Sequence, residues 1–191
     1  MDDKTLIKKV NDGDLSAIRF LVEKHKGLIW HIIISMVGHN RDDEDLFQDV
    51  FLRVFKGLRS FRADSRLSTW IGSITHHVCV DYLRKMKKET DLRYNEVDQQ
   101  SALNFSREMN WKETENQDLN KIVLAAIAKL PEDYRTVITL YHLDECSYRD
   151  IAEITGMPDG TVKSYISRAR NLLREKLLAV VPDLAQIMDD F

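Results

Sequence analysis

Residues 146–178, CSYRDIAEITGMPDGTVKSYISRARNLLREKLL, decide the fold. The stretch reads as two helices joined by a tight turn at Gly156-Met157-Pro158. Ile151, Ala152 and Ile154 supply the apolar contact of the first helix. In the second, Val162, Ile166, Ala169 and Leu173 recur at spacings of four, three and four, which sets them on one face. The opposite face carries Lys163, Ser164, Ser167, Arg168, Asn171 and Arg174. A short-turn pair whose second helix is basic and hydrogen-bonding on its outer side has the form of a helix-turn-helix.

The chain around it is built for helices. Among 191 residues glycine and proline number only 7 and 3, and charged residues make up 31%. The apolar run His31–Val37 is bounded too closely by His25, Lys26, His39 and Arg41 to cross a membrane. The acidic start Met1-Asp2-Asp3, with no long apolar core behind it, predicts no secretory signal. Cys79 and Cys146 are too few and too far apart for a disulfide framework, so a reducing cytoplasm is the expected setting. A net charge of −3 is unusual for a nucleic-acid binder, so its distribution matters more than its sum. Residues 161–176 hold five basic residues and one acid, and a second basic patch spans Arg84–Lys88. Residues 89–118 hold three basic residues against eight acids. Such a chain is expected to draw part of its DNA affinity from a partner.

Taken in order, Leu6–Val10 suggests a short leading helix, and Asp14 an N-cap for a helix through Val37. The helix ends near Gly38-His39-Asn40, and another runs from Asp42 to Leu58 with an acidic start that suits the helix dipole. Ser60–Arg66 reads as a polar loop, after which Ser68 or Thr69 caps a helix continuing into Arg84–Lys88. From Glu89 to about Asp118 the periodicity fails. The expected architecture is all-α: two small helical domains, 1–90 and 119–191, joined by a flexible acidic linker at 91–118. The second domain holds the helix-turn-helix.

Two separated segments now point to one family. Residues 42–88 resemble the second region of bacterial sigma factors, and residues 127–178 resemble their fourth region. Having these two regions in this order, with no match to the first or third, resembles the extracytoplasmic-function (ECF) group. The resemblance implies binding to bacterial core RNA polymerase and to promoter DNA, with the first domain at the −10 element and the second at −35. It implies no catalytic residue, cofactor, metal or small-molecule substrate, and no direct membrane insertion. An anti-sigma factor often restrains such proteins, though no residue here identifies one.

The resemblance assigns the face Asp45, Gln48, Asp49 and Leu52 to the polymerase clamp; physically these side chains offer acceptors and one apolar spot to a basic helix. It assigns the loop and following helix to the melted −10 strand, where an unpaired base needs a stacking surface and polar atoms for its edge. Phe61, Arg62, Asp64, Ser65 and Trp70 are the candidates there, although Trp70 fits a core position equally well. His77 takes the place where relatives often carry an Asn that reads a −10 base, which leaves base identity open. Arg84 and Lys85 suit phosphates. On the recognition helix, Ser164, Ser167 and Arg168 are the candidates for base edges. Arg149, Thr161, Lys163 and Arg170 are placed to anchor phosphates, and Tyr165 fits either use. His76, His77 and Cys79 lack a complementary ligand set nearby, so no metal is expected.

The main alternative is a conventional operator-binding regulator with the same helix-turn-helix. It leaves the segment from Asp42 to Lys88 without a purpose. A recombinase or transposase needs a catalytic constellation on a mixed fold, which this helical pattern does not supply.

Overall fold

The computed structural model describes residues 2–38, 42–91 and 117–180. Among these residues all regular structure is helical. The first half comprises α1 (Asp3–Asn11), α2 (Leu15–Val37), α3 (Asp43–Gly57), a 3-10 turn at Leu58–Ser60, and α4 (Leu67–Asp91). The second comprises α5 (Gln117–Ala128), α6 (Glu132–His142), α7 (Tyr148–Thr155) and α8 (Asp159–Val180). The acidic linker expected at 91–118 lies outside the described residues except at its two ends.

The local starts and stops have recognisable chemistry. Asp14 caps α2, its carboxylate accepting from the backbone N–H groups of Ser16 at 2.8 Å and Ala17 at 3.2 Å. Ser147 and Asp150 close a reciprocal capping box on α7, which ends at Gly156 in the left-handed conformation, φ 73°. A side chain at residue 156 would meet no atom within 4 Å, so backbone conformation and not space favours glycine there. One start differs from expectation. Neither Ser68 nor Thr69 caps α4, which begins at Leu67; Thr69 is buried and turned toward the second half of the chain.

In the first half Leu21, Ile29, Ile32, Ile33, Val50, Val54, Ile71 and Val78 are buried. In the second, Ile138, Leu140, Ile151, Ile154, Val162, Ile166 and Ala169 are buried. Each large aliphatic side chain removed from water contributes on the order of 1.5–3 kcal/mol. The two sets belong to one hydrophobic cluster, because α6 packs across α2 and α7 across α4.

Polar groups cross the same seam. The Thr69 hydroxyl donates to Asp150 Oδ1 at 2.8 Å, and the Arg66 guanidinium pairs with the same carboxylate. His31 Nδ1 lies 2.8 Å from Asp144 Oδ1. Arg135 donates to the carbonyl oxygens of Ser35 and, at 3.0 Å, Ala128.

Candidate nucleic-acid interface

The helix-turn-helix forms as its sequence requires. Val162, Ile166 and Ala169 of α8 are buried, which turns the residues between them outward. Lys163, Ser167 and Arg168 are exposed on α8, and Arg149 is exposed on α7. Thr161 is half-buried. Two candidates lie differently from the outward or free placement expected of them. Ser164 is half-buried, and its hydroxyl donates back to the Thr161 carbonyl at 2.9 Å. The Tyr165 ring packs edge-on against Tyr134 at 5.1 Å, which commits much of its surface to the domain's own packing. Arg170 is exposed yet tied, its guanidinium 5.0 Å over the Tyr141 ring and Nε 3.4 Å from His142 Nε2. The free cationic outer surface of α8 therefore centres on Lys163 and Arg168.

In the first half, the segment between the 3-10 turn and α4 carries a bend at Ala63, φ 58°. An L-residue in this region costs roughly 1–2 kcal/mol, a strain found most often where a loop has work to do. Arg62 and Asp64 are exposed beside it, and Ser65 is half-buried. Phe61 is half-buried, with its ring 5.1 Å from that of Trp70. Trp70 is half-buried as well and packs onto the hydrophobic cluster. Its surroundings therefore fit a prop better than an open stacking platform.

Phe61, Arg62 and Ala63 form one wall of a groove of about 410 Å³ whose other wall is α1, through Lys4, Ile7, Lys8, Asn11 and Asp12. The contribution of α1 was not visible in the sequence. Its lysines sit in an unremarkable amphipathic pattern, and only the fold brings them to the loop. The result is an aromatic edge with three cations around a concavity, the composition that suits an unpaired base on a phosphate backbone.

Further along α4, His77 is exposed and its Nδ1 lies 2.7 Å from the Ser73 carbonyl. With Nδ1–H donating to that carbonyl, the Nε2 lone pair of the neutral ring is an outward acceptor. Its neighbour His76 is half-buried. Burial and the adjacent His77 lower its pKa, against the opposing pull of Asp133 on α6. Arg84 and Lys85 are exposed, together with Lys87 and Lys88.

On α3, Asp45, Gln48 and Leu52 are exposed, Leu52 to 57%. Asp49 is held by Arg53 at 3.0 Å, and Arg53 also reaches Asp81 on α4 at 3.5 Å. The four residues share a surface opposite Leu46, Val50 and Val54, which are buried. An exposed leucine among carboxylate and amide groups suits a basic, partly apolar partner helix.

Nothing in the thiols suggests chemistry. Burial first, then Glu132, pushes the Cys79 thiol up to about 12. Burial, then Asp144 and Asp150, does the same to Cys146. Among the described residues no group of three or more His, Cys, Asp or Glu is arranged to hold a metal ion, and no helix is long and apolar enough to cross a membrane.

Comparison with known proteins adds an independent line. The family model "Sigma-70 region 2" matches residues 21–89, and "Sigma-70, region 4" matches residues 120–173. The sequence is 33% identical over 191 residues to the ECF RNA polymerase sigma-E factor of Escherichia coli K12, covering 95% of this chain and 97% of that one. It is 32% identical over 179 residues to the ECF RNA polymerase sigma factor SigW of Bacillus subtilis, covering 91% and 96%. The fold is similar to that of the sigma factor RpoE from Bartonella quintana, solved in complex with the anti-sigma factor NepR. The TM-score is 0.62 at 28% identity, over 85% of this chain and 98% of that one. CnrH, solved with the cytosolic domain of CnrY, shares the fold at a TM-score of 0.64 and 22% identity, over 93% and 97%.

Proposed function

The chain belongs to the ECF group of sigma-70 factors, which direct RNA polymerase to promoters, and from that premise we propose a division of labour among its surfaces. The first domain, 1–90, docks on core polymerase and handles the −10 element. The second, 119–191, docks on the −35 element, and 91–118 links them. The α3 face of Asp45, Gln48, Asp49 and Leu52 meets the polymerase clamp, with Leu52 as its apolar anchor.

At −10, the groove between Phe61–Ala63 and α1 takes an unpaired base of the non-template strand. Phe61 offers the stacking edge while Arg62, Lys4 and Lys8 draw the phosphates. Trp70 holds Phe61 in place. His77 reads the next exposed base edge through its outward acceptor, and Arg84 and Lys85 steady the upstream duplex. Asp64 and Ser65 supply further polar contacts. At −35, Arg168 and Ser167 face the base edges. Lys163, Arg149 and Thr161 hold the backbone, with Arg170 positioned from the side and Ser164 and Tyr165 in supporting places.

The single observation that carries this reading is the pairing of the two regions with an exposed basic recognition helix. An operator-binding regulator would need only the second half. The polymerase supplies the chemistry, so the chain needs no catalytic group or cofactor, and it acts in the cytoplasm where its partners are. As in the complex of RpoE with the anti-sigma factor NepR, an anti-sigma protein is the natural restraint.

Run-off transcription with purified core polymerase on fragmented genomic DNA tests the whole assignment. Start sites should share two upstream sequence elements at fixed spacing. Transcripts that arise equally without the protein would overturn it.

A further inference from the structure

Three helices of the second half meet at one side chain of the recognition helix. The Arg170 guanidinium of α8 lies 5.0 Å over the centre of the Tyr141 ring, and its Nε is 3.4 Å from His142 Nε2. Tyr141 and His142 end α6, and their rings meet edge to face at 4.9 Å and 86°. Tyr148, the first residue of α7, stacks on the same Tyr141 ring at 5.3 Å and 21°. Tyr141 is half-buried and packs on the hydrophobic cluster, so the ring under the guanidinium is anchored in the body of the domain.

This arrangement holds a cation without neutralising it. The ring attracts the guanidinium through its quadrupole. Burial first, and then the Arg170 charge, lowers the pKa of His142, so its neutral ring can accept from Arg170 Nε–H. A guanidinium has five N–H donors, and among the described residues only Nε–H is engaged. Arg170 is itself exposed. Lys163, Ser167 and Arg170 recur at spacings of four and three, which puts them on one stripe of α8. The first residues of a recognition helix contact base edges. Arg170 stands about two turns beyond Lys163, where such a helix leaves the groove and meets the sugar-phosphate backbone. An arginine already held over a ring also has less rotamer freedom to lose when it grips a phosphate.

We propose that Tyr141, buttressed by Tyr148 and assisted by His142, is a positioning residue for DNA binding. It aims the Arg170 guanidinium at a backbone phosphate beside the −35 element and so sets how the recognition helix sits in the groove. The aromatic side chains act through Arg170 and not by touching a base. The inference rests on the assignment of α8 to the −35 element and deepens it.

The test uses the full chain assembled with core polymerase, titrated onto a dye-labelled duplex whose start site and upstream elements were mapped by run-off transcription. Arg170→Ala should weaken binding about fivefold and lower the salt slope by about one unit. With Arg170 present, Tyr141→Leu should weaken binding about threefold and His142→Ala about twofold, whereas Tyr141→Phe keeps the ring and should bind as wild type. In an Arg170→Ala background, Tyr141→Leu and His142→Ala should cost nothing further, because a platform without its cation has no task. Losses of equal size with and without Arg170 would overturn the proposal by making Tyr141 and His142 ordinary packing residues. Wild-type binding by Arg170→Ala would overturn it as well. His142 is exposed, so its pair of measurements decides the matter even where Tyr141→Leu fails to fold. If Lys163→Ala, Arg168→Ala and Arg170→Ala all bind as wild type, the −35 assignment of α8 falls and the proposal falls with it.

Discussion

The Phe61 ring centre lies 5.1 Å from that of Trp70, with the planes tilted by 50°, so one aromatic residue props the other at the edge of the basic groove. The pair separates two kinds of failure. Phe61→Ala should leave thermal stability within about 1 kcal/mol, since the ring is only half-buried, while strand opening at −10 drops at least about tenfold. Trp70→Ala should cost on the order of 3 kcal/mol of stability as well as opening. Permanganate reactivity of unpaired thymines and a thermal melt measure the two effects. Equal opening by wild-type and Phe61→Ala chains would return the ring to a packing role.

On α3, Leu52→Asp should weaken assembly with core polymerase strongly, because it places a charge where the partner meets an exposed apolar side chain. Gln48→Ala combined with Asp49→Ala should weaken it less. Neither change touches the second domain, so its melting should be unaffected. Co-elution of both variants with polymerase at wild-type affinity would move the clamp contact elsewhere.

Arg168 and Lys163 are both exposed on α8 but should behave differently. Arg168→Ala should lose roughly 1–3 kcal/mol of discrimination at one base pair of the −35 element. Lys163→Ala should weaken all sequences alike and flatten the salt dependence by about one unit of slope. Promoter variants titrated at several salt concentrations separate these outcomes. A uniform loss in Arg168→Ala would reassign it to the backbone.

His77→Asn changes what the α4 surface offers a base. The imidazole, with Nδ1 held by the Ser73 carbonyl, presents one acceptor, whereas an amide presents a donor and an acceptor. Preference should shift at one or two −10 positions in a randomised promoter library, with stability unchanged. A library without a shift would leave His77 as an ordinary surface residue.

Acid should loosen the protein through His25. Burial first, then the Lys24 charge, lowers its pKa from 6.5 to about 4, with Asp3 opposing. Between those values the unfolded chain binds the proton and the folded chain does not. Stability is therefore whole above pH 6.5 and falls as pH drops toward 4, by an amount on the order of 3 kcal/mol. His25→Leu should flatten that slope in urea midpoints measured from pH 7 to 4. Asp150 acts in a lower window. Burial opposes its charge, but hydrogen bonds from Ser147, Thr69 and Arg66 outweigh this and hold the carboxyl at about 2. Its contribution stands above 3.8 and is lost as pH falls through 2.

Much of this architecture could be read from the residues. Asp14 and Gly156 announce the start of α2 and the end of α7 because such signals are local, and the four-three-four spacing on α8 fixes its buried face. The outward placement of Lys163 and Arg168 on α8 was legible for the same reason. Long-range pairing was not. Thr69 looks like a cap in sequence, and its true partner, Asp150, is 81 residues away. Asp150 itself reads fully as the second half of a capping box, which hides its other use. Lys4 and Lys8 carry no sign that a loop some fifty residues later will lie beside them. Ser164 and Tyr165 sit near the boundary of the helix face, where periodicity alone does not decide between solvent and neighbour.

The close approach of the buried Ile154 side chain to the bare backbone at Gly72 has a consequence for how such a chain can change over generations. A methyl group at residue 72 would press on Ile154, so this position can gain a carbon only if residue 154 gives way. The two positions, 82 residues apart in the chain, are therefore expected to change together in descent, a larger residue at 72 accompanying a smaller one at 154.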